Sequence, residues 1–133
     1  MRTSFRPAAW VVLLAATFAV GVYSQNPGIQ RTVVHRADVS VPGREAVIAR
    51  VEIAPGASAG LHTHPGDEIS YVMEGEAEIL VEGQPVRKVK AGDGFVIPAG
   101  AKHDAHNSGT APVKLAGIYV VEKGKPLATP ATK

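Results

Sequence analysis

From its second quarter onward the chain is punctuated by Pro42, Pro55, Pro65, Pro85, Pro98, Pro112, Pro126 and Pro130. Proline has no backbone N–H, and its ring clashes with the preceding helical turn, so no long helix can run through this region. The pieces between the prolines carry no apolar stripe at helical spacing. Their apolar residues alternate instead, the pattern of a strand buried on one face. Over residues 45–54, Val47, Ala49, Val51 and Ile53 fall on one face, and Ile48, Arg50 and Glu52 on the other. Further strands are expected at 30–39, 68–73, 77–81, 86–90, 94–97, 102–107 and 113–121. Glu74-Gly75-Glu76 predicts a tight hairpin between the strands on either side of it, and Glu82-Gly83-Gln84 a second turn. Many short strands with frequent turns predict an all-β sandwich or barrel.

The two ends read differently. Arg2 and Arg6 precede an apolar run of 16 residues, 8–23, and Ser24 supplies a small residue at its end. A charged start, an apolar middle and a small-residue cleavage site describe a secretory signal peptide over residues 1–24. The run is shorter than the ~20 residues of a spanning helix. A periplasmic or secreted protein is expected, with membrane contact only through an uncleaved signal anchor. One small domain then occupies 25–122, and 123–133, which lacks an apolar pattern, is expected to be a disordered tail.

Removing the signal peptide also changes the charge. The chain has 14 Lys+Arg and 12 Asp+Glu, and without Arg2 and Arg6 the two signs balance. Arg87-Lys88-Val89-Lys90 is the one basic cluster and reads as a solvated strand edge, so nucleic acid is not an expected partner. The chain contains no cysteine, which excludes disulfides, thiolate metal sites and a lipid anchor on cysteine.

Chemistry concentrates in two stretches. His62 and His64 lie two apart, and on a strand residues i and i+2 face the same way. Both imidazoles can therefore enter one cavity. Pro65-Gly66 bends the chain, and Glu68 opens the next strand near the same spot. His103 arrives from a second turn at Pro98-Ala99-Gly100. His62, His64, Glu68 and His103 form a nitrogen–oxygen donor set suited to one divalent transition metal, Fe, Mn, Ni, Co or Zn.

The same stretches resemble the two signature motifs of the cupin superfamily. The first runs G-x5-H-x-H-x3-E-x6-G as Gly56, His62, His64, Glu68 and Gly75. The second runs G-x5-P-x-G-x2-H-x3-N as Gly92, Pro98, Gly100, His103 and Asn107. The resemblance implies a small antiparallel β-barrel of jelly-roll type with the metal near one mouth. It also implies that His62, His64, Glu68 and His103 are the ligands. It does not imply one reaction, because the superfamily includes dioxygenases, decarboxylases, isomerases, lyases, storage proteins and ligand-binding domains. The six remaining motif positions read as turn builders, with Asn107 closing a turn over Ser108-Gly109.

Outside the quartet no residue is assigned a catalytic role. Ser70 and Val72 share the inward parity of Glu68; Phe95, Ile97 and Tyr119 are expected to line the cavity, with Asp67 and Asp104 at its mouth. His106 is expected at the surface or rim, and His35 exposed. The functional expectation is metal-dependent chemistry of dioxygenase type on a small oxygen-chelating substrate. The alternatives are a non-catalytic module binding a small ligand or sugar, and a metal-dependent lyase or isomerase. Outward apolar residues Ile48, Ile69, Tyr71 and Leu80 suggest a homodimer.

Overall fold

The computed structural model describes residues 27–133. The expected signal peptide lies outside the described residues. Ten strands follow in order: β1 (Ile29–Asp38), β2 (Arg44–Ile53), β3 (His62–Thr63), β4 (Gly66–Glu74), β5 (Glu76–Val81), β6 (Arg87–Lys90), β7 (Gly94–Ile97), β8 (His103–His106), β9 (Val113–Glu122) and β10 (Thr129–Pro130). All the expected strands are present, with ends within two residues of those expected. The short β3 and β10 carry too few residues to show an alternation and were not expected.

The strands form two five-stranded antiparallel sheets, ordered β1-β2-β9-β4-β7 and β10-β3-β8-β5-β6. This is the jelly-roll arrangement. One core lies between the sheets: Val47, Val51, Ile53, Leu115 and Val121 from the first meet Ala77, Ile79 and Val89 from the second. β2 and β9 pair along their full lengths, from Arg44 opposite Glu122 to Ile53 opposite Val113. Because side chains alternate, this register turns every odd-numbered residue of both strands inward. The outer face of the same sheet exposes Ile48, Ile69, Tyr71 and Val96, and Leu80 is exposed on the other sheet.

Two expectations are corrected. Glu74-Gly75-Glu76 is not a hairpin. β4 pairs with β9 and β7, whereas β5 pairs with β6 and β8, so Gly75 carries the chain from one sheet to the other. Its φ of 83° is open to glycine at no steric cost, and a Cβ there would come within 2.7 Å of the Pro112 carbonyl oxygen. A tight turn looks the same locally whether the next strand folds back or crosses over. Nor is 123–133 a disordered tail. Thr129 and Pro130 pair with Thr63 and His62, the Ala131 N–H donates to the Leu61 carbonyl at 2.9 Å, and Leu127 packs against the core. Backbone pairing and one apolar anchor order a segment that has no periodic pattern of its own.

Candidate metal centre

The second sheet brings the histidines together. His62 on β3 is the direct cross-strand partner of His103 on β8, and their ring centroids lie 4.2 Å apart. His64 follows two residues after His62 with its ring 4.8 Å away, and Glu68 reaches in from β4 of the opposite sheet. All four residues are buried, and their ligand atoms lie within 4.8 Å of one another. That span is close to the ~4.2 Å across an ion with bonds of ~2.1 Å.

The hydrogen bonds around the rings decide what the centre can hold. Each imidazole donates its Nδ1–H to a backbone carbonyl: His62 to Gly60 at 2.6 Å, His64 to Leu127 at 2.6 Å and His103 to Ala101 at 2.9 Å. A carbonyl only accepts, so Nδ1 must carry the proton, and in the neutral ring Nε2 then bears a lone pair. Those Nε2 atoms point at one another and at Glu68, whose Oε2 lies 2.9 Å from His64 Nε2 and 3.2 Å from His103 Nε2. Nε2 of His62 and of His64 are buried without a hydrogen-bond partner among the described residues. Acceptors facing acceptors in a dry site are unfavourable unless something positive lies between them. Either extra protons or a cation can do this. Burial and the neighbouring His103 hold the His62 pKa down from 6.5 to about 4, which opposes an extra proton on that ring. The donor set therefore fits a divalent transition metal, with each ring oriented by a partner on its far nitrogen. When bound, such an ion supplies Lewis acidity, activation of water, or one-electron chemistry, according to its identity.

Glu68 is held in place too. The Ser70 hydroxyl donates to its Oε1 at 2.7 Å. Burial alone would raise the Glu68 pKa, but interactions with His103, His64 and Ser70 outweigh it and keep the carboxyl well below its usual range. A pH prediction follows for the metal-free protein. Between pH 6.5 and about 4 the unfolded chain takes up a proton at His62 that the folded chain refuses, so stability falls with pH through this window. The stabilisation from ionised Glu68 is present above its ordinary 4.5 and drains away below it, in the same direction. The His62 effect is at most about 3 kcal/mol. Melting curves of chelator-treated protein from pH 7 to pH 4 should show a steadily falling Tm; a flat profile would contradict the arrangement.

The other candidates separate clearly. Phe95, Tyr119 and Asp104 line a small cleft, partly continuous with solvent, that opens on His62, Glu68 and His103. Ile97 and Val72 are buried in the core and do not line the cavity. Asp67 lies elsewhere, exposed, where it accepts the Ala99 N–H at 3.0 Å. His106 is half-buried and bonded to the Ser58 hydroxyl at 2.8 Å. His35 is exposed, and Asn107 closes its turn by accepting the Gly109 N–H at 2.9 Å. Tyr119 packs at a tilt against His64, with ring centroids 4.8 Å apart, and burial together with the Glu68 charge pushes its phenol up to about 12, so it is neutral. Gly117 makes room for it, since a Cβ there would meet the Tyr119 hydroxyl at 2.8 Å. Two contributors were missed. The Leu127 carbonyl has no side-chain signature to read. Arg31 could have been found, because it shares the parity of Ile29 and lies opposite the inward-facing Val51.

A jelly roll enclosing three histidines and a carboxylate defines a small barrel protein with a site suited to a divalent cation. The chain belongs to the cupin family, and residues 49–122 match the cupin domain. It is 33% identical over 76 residues to an oxalate-binding protein of Thermotoga maritima, a match covering 56% of this chain and 62% of that one. Less than two thirds of that relative's length is thus matched. A double-stranded β-helix protein of Klebsiella pneumoniae superposes with a TM-score of 0.66 at 27% identity, over 81% of this chain and 88% of that one. A recombinant oxalate oxidase in complex with glycolate gives 0.63 at 28% identity, over 80% of this chain and 57% of that one.

Proposed function

We propose that this cupin holds one divalent transition metal through Nε2 of His62, His64 and His103 and a Glu68 oxygen, and presents it to a small oxygen-chelating molecule in the adjoining cavity. The observation that carries this reading is the pair of orphaned Nε2 atoms, of His62 and His64, clustered with His103 and one buried carboxylate. Apolar Phe95, Ile79 and Leu115 line the cavity beside the cluster, so a bound molecule would meet the ion against a largely apolar wall. A small chelating ligand is also consistent with relatives named for oxalate binding and oxalate oxidation.

The enzymatic form of this reading is a dioxygenase-type oxidoreductase, for which a redox-active ion held by the quartet would supply the one-electron chemistry. In that role Glu68 and the three rings set the ion's position, Ser70 holds the carboxylate, and Phe95 and Leu115 exclude water. Reversible ligand capture is the second reading. It is favoured by the lack, among the described residues lining the cavity, of an acid–base pair outside the quartet. Metal analysis of natively expressed protein, followed by oxygen uptake with oxalate or glycolate, separates the two. Consumption of dioxygen in step with substrate supports the oxidoreductase. A ligand that binds metal-dependently and is recovered unchanged supports capture, turnover that persists without oxygen points to a lyase or isomerase, and absence of metal overturns all of these.

A further inference from the structure

β1 is an edge strand whose side chains are otherwise exposed; only Ile29 and Arg31 turn partly inward, and both line the cavity beside the quartet. A guanidinium in that position needs an explanation. Arg31 forms no ion pair with a carboxylate among the described residues, and its Nε is buried without a hydrogen-bond partner. It does not hang loose: its Cζ sits 5.7 Å from the centroid of the Tyr119 ring, within cation–π range. That contact holds the guanidinium at the cavity wall, where its N–H donors can meet a ligand.

The charges of the site point the same way. Once a divalent ion is present, Glu68 cancels half of its charge. Asp104 is the other acid lining the cavity, and its Oδ1 already accepts the Gly60 N–H at 2.9 Å. Arg31 then leaves the cavity with a net positive charge in surroundings that are largely apolar. Desolvated positive charge of this kind is costly unless an anion joins it. An ammonium or a neutral sugar would not relieve it, whereas a carboxylate would, and a planar carboxylate matches the guanidinium fork.

We infer that Arg31 is the anion anchor of the site, and that the ligand is a small carboxylate carrying a second oxygen donor, such as a 2-hydroxy acid, 2-oxo acid or short dicarboxylate. This rests on the metal-site reading above and narrows its ligand class. One part of the molecule would chelate the ion, and its negative charge would be matched by Arg31 from the cavity wall beside Tyr119. Arg31 is a binding and specificity residue; it contributes nothing to holding the metal.

Calorimetric titration of the metal-loaded full chain tests this. Glycolate and glycolamide offer the same hydroxyl–carbonyl chelate with and without the charge. The wild type should prefer glycolate by ~10-fold or more, the loss expected for one charge-assisted hydrogen bond. Arg31→Gln should cut that preference by ~10-fold with metal content unchanged, leaving only the ion's own preference for the charged carboxylate, and Arg31→Lys should restore part of it. Equal affinity of the wild type for the two compounds overturns the inference, whether or not the variants fold. So does an Arg31→Gln protein that keeps full glycolate affinity, and so does a fully metallated wild type that binds neither glycolate nor oxalate. In each of these cases metal content is the independent readout: it still stands if only the anion anchor is wrong, and it is absent if the metal-site reading itself fails.

Discussion

Replacing His62 by alanine is expected to lower metal affinity by at least ~100-fold while leaving both sheets folded. The bound is conservative, because disturbing only a group that orients a ligand costs ~10–100-fold, and here the ligand itself is removed. The fold should survive for a specific reason. His62 belongs to the two-residue strand β3, whereas the long ladders β1–β2, β2–β9 and β4–β9 lie in the other sheet and do not involve it. In the metal-free state the change even removes one of three imidazoles whose lone pairs crowd Glu68, together with its share of the acid sensitivity. Thermal melts with and without added metal give the readout. At free metal one hundred times Kd the wild type should gain ~2.7 kcal/mol, worth ~4–8 °C per kcal/mol for a domain of this size. His62→Ala should gain almost nothing under the same conditions. A variant that melts with the wild-type metal shift would show that His62 is not a ligand.

Ending the chain after Gly124 should weaken metal binding by ~10–100-fold, although no ligand is touched. Two of the three orienting carbonyls are local: Gly60 serves His62 and Ala101 serves His103, each from two residues upstream. The third comes from Leu127, which is 63 residues away from His64 in sequence. Removing 125–133 takes away that acceptor, the β10–β3 pairing beside His62 and the bond from Lys102 Nζ to the Thr132 carbonyl. Water can replace the carbonyl but does not hold the ring in one orientation, so the loss should fall on affinity and hardly on strand content. Metal titration with circular dichroism on the truncated protein separates the two, and unchanged affinity would mean that the C-terminal segment is only a cover.

Most of the fold was legible because burial on one face of a strand writes itself into the sequence with a period of two. Val47, Ala49, Val51 and Ile53 could be placed inward from 45–54 alone, and all four are buried. The quartet was legible for another reason. Metal binding demands particular side chains, and His62 and His64 keep strand spacing, so both type and direction survive in one dimension. The crossing at Gly75 was not legible. A glycine turn permits either a hairpin or a change of sheet, and the choice is made by which distant strand, β9 or β6, offers the better ladder.

What the sequence determined by itself is the all-β architecture and the identity of the four residues that converge, because alternation and side-chain chemistry are local properties. What only the tertiary structure decided is how that convergence is supported and what faces it. Leu127 acts through a backbone carbonyl, which every residue has and no composition reveals. Arg31 sits on an edge strand where an arginine is ordinarily solvated, and it becomes a half-buried cation against Tyr119 only because the register of β1 against β2 turns it inward. Both depend on long-range pairing, which is an outcome of packing the whole chain and not of any segment within it.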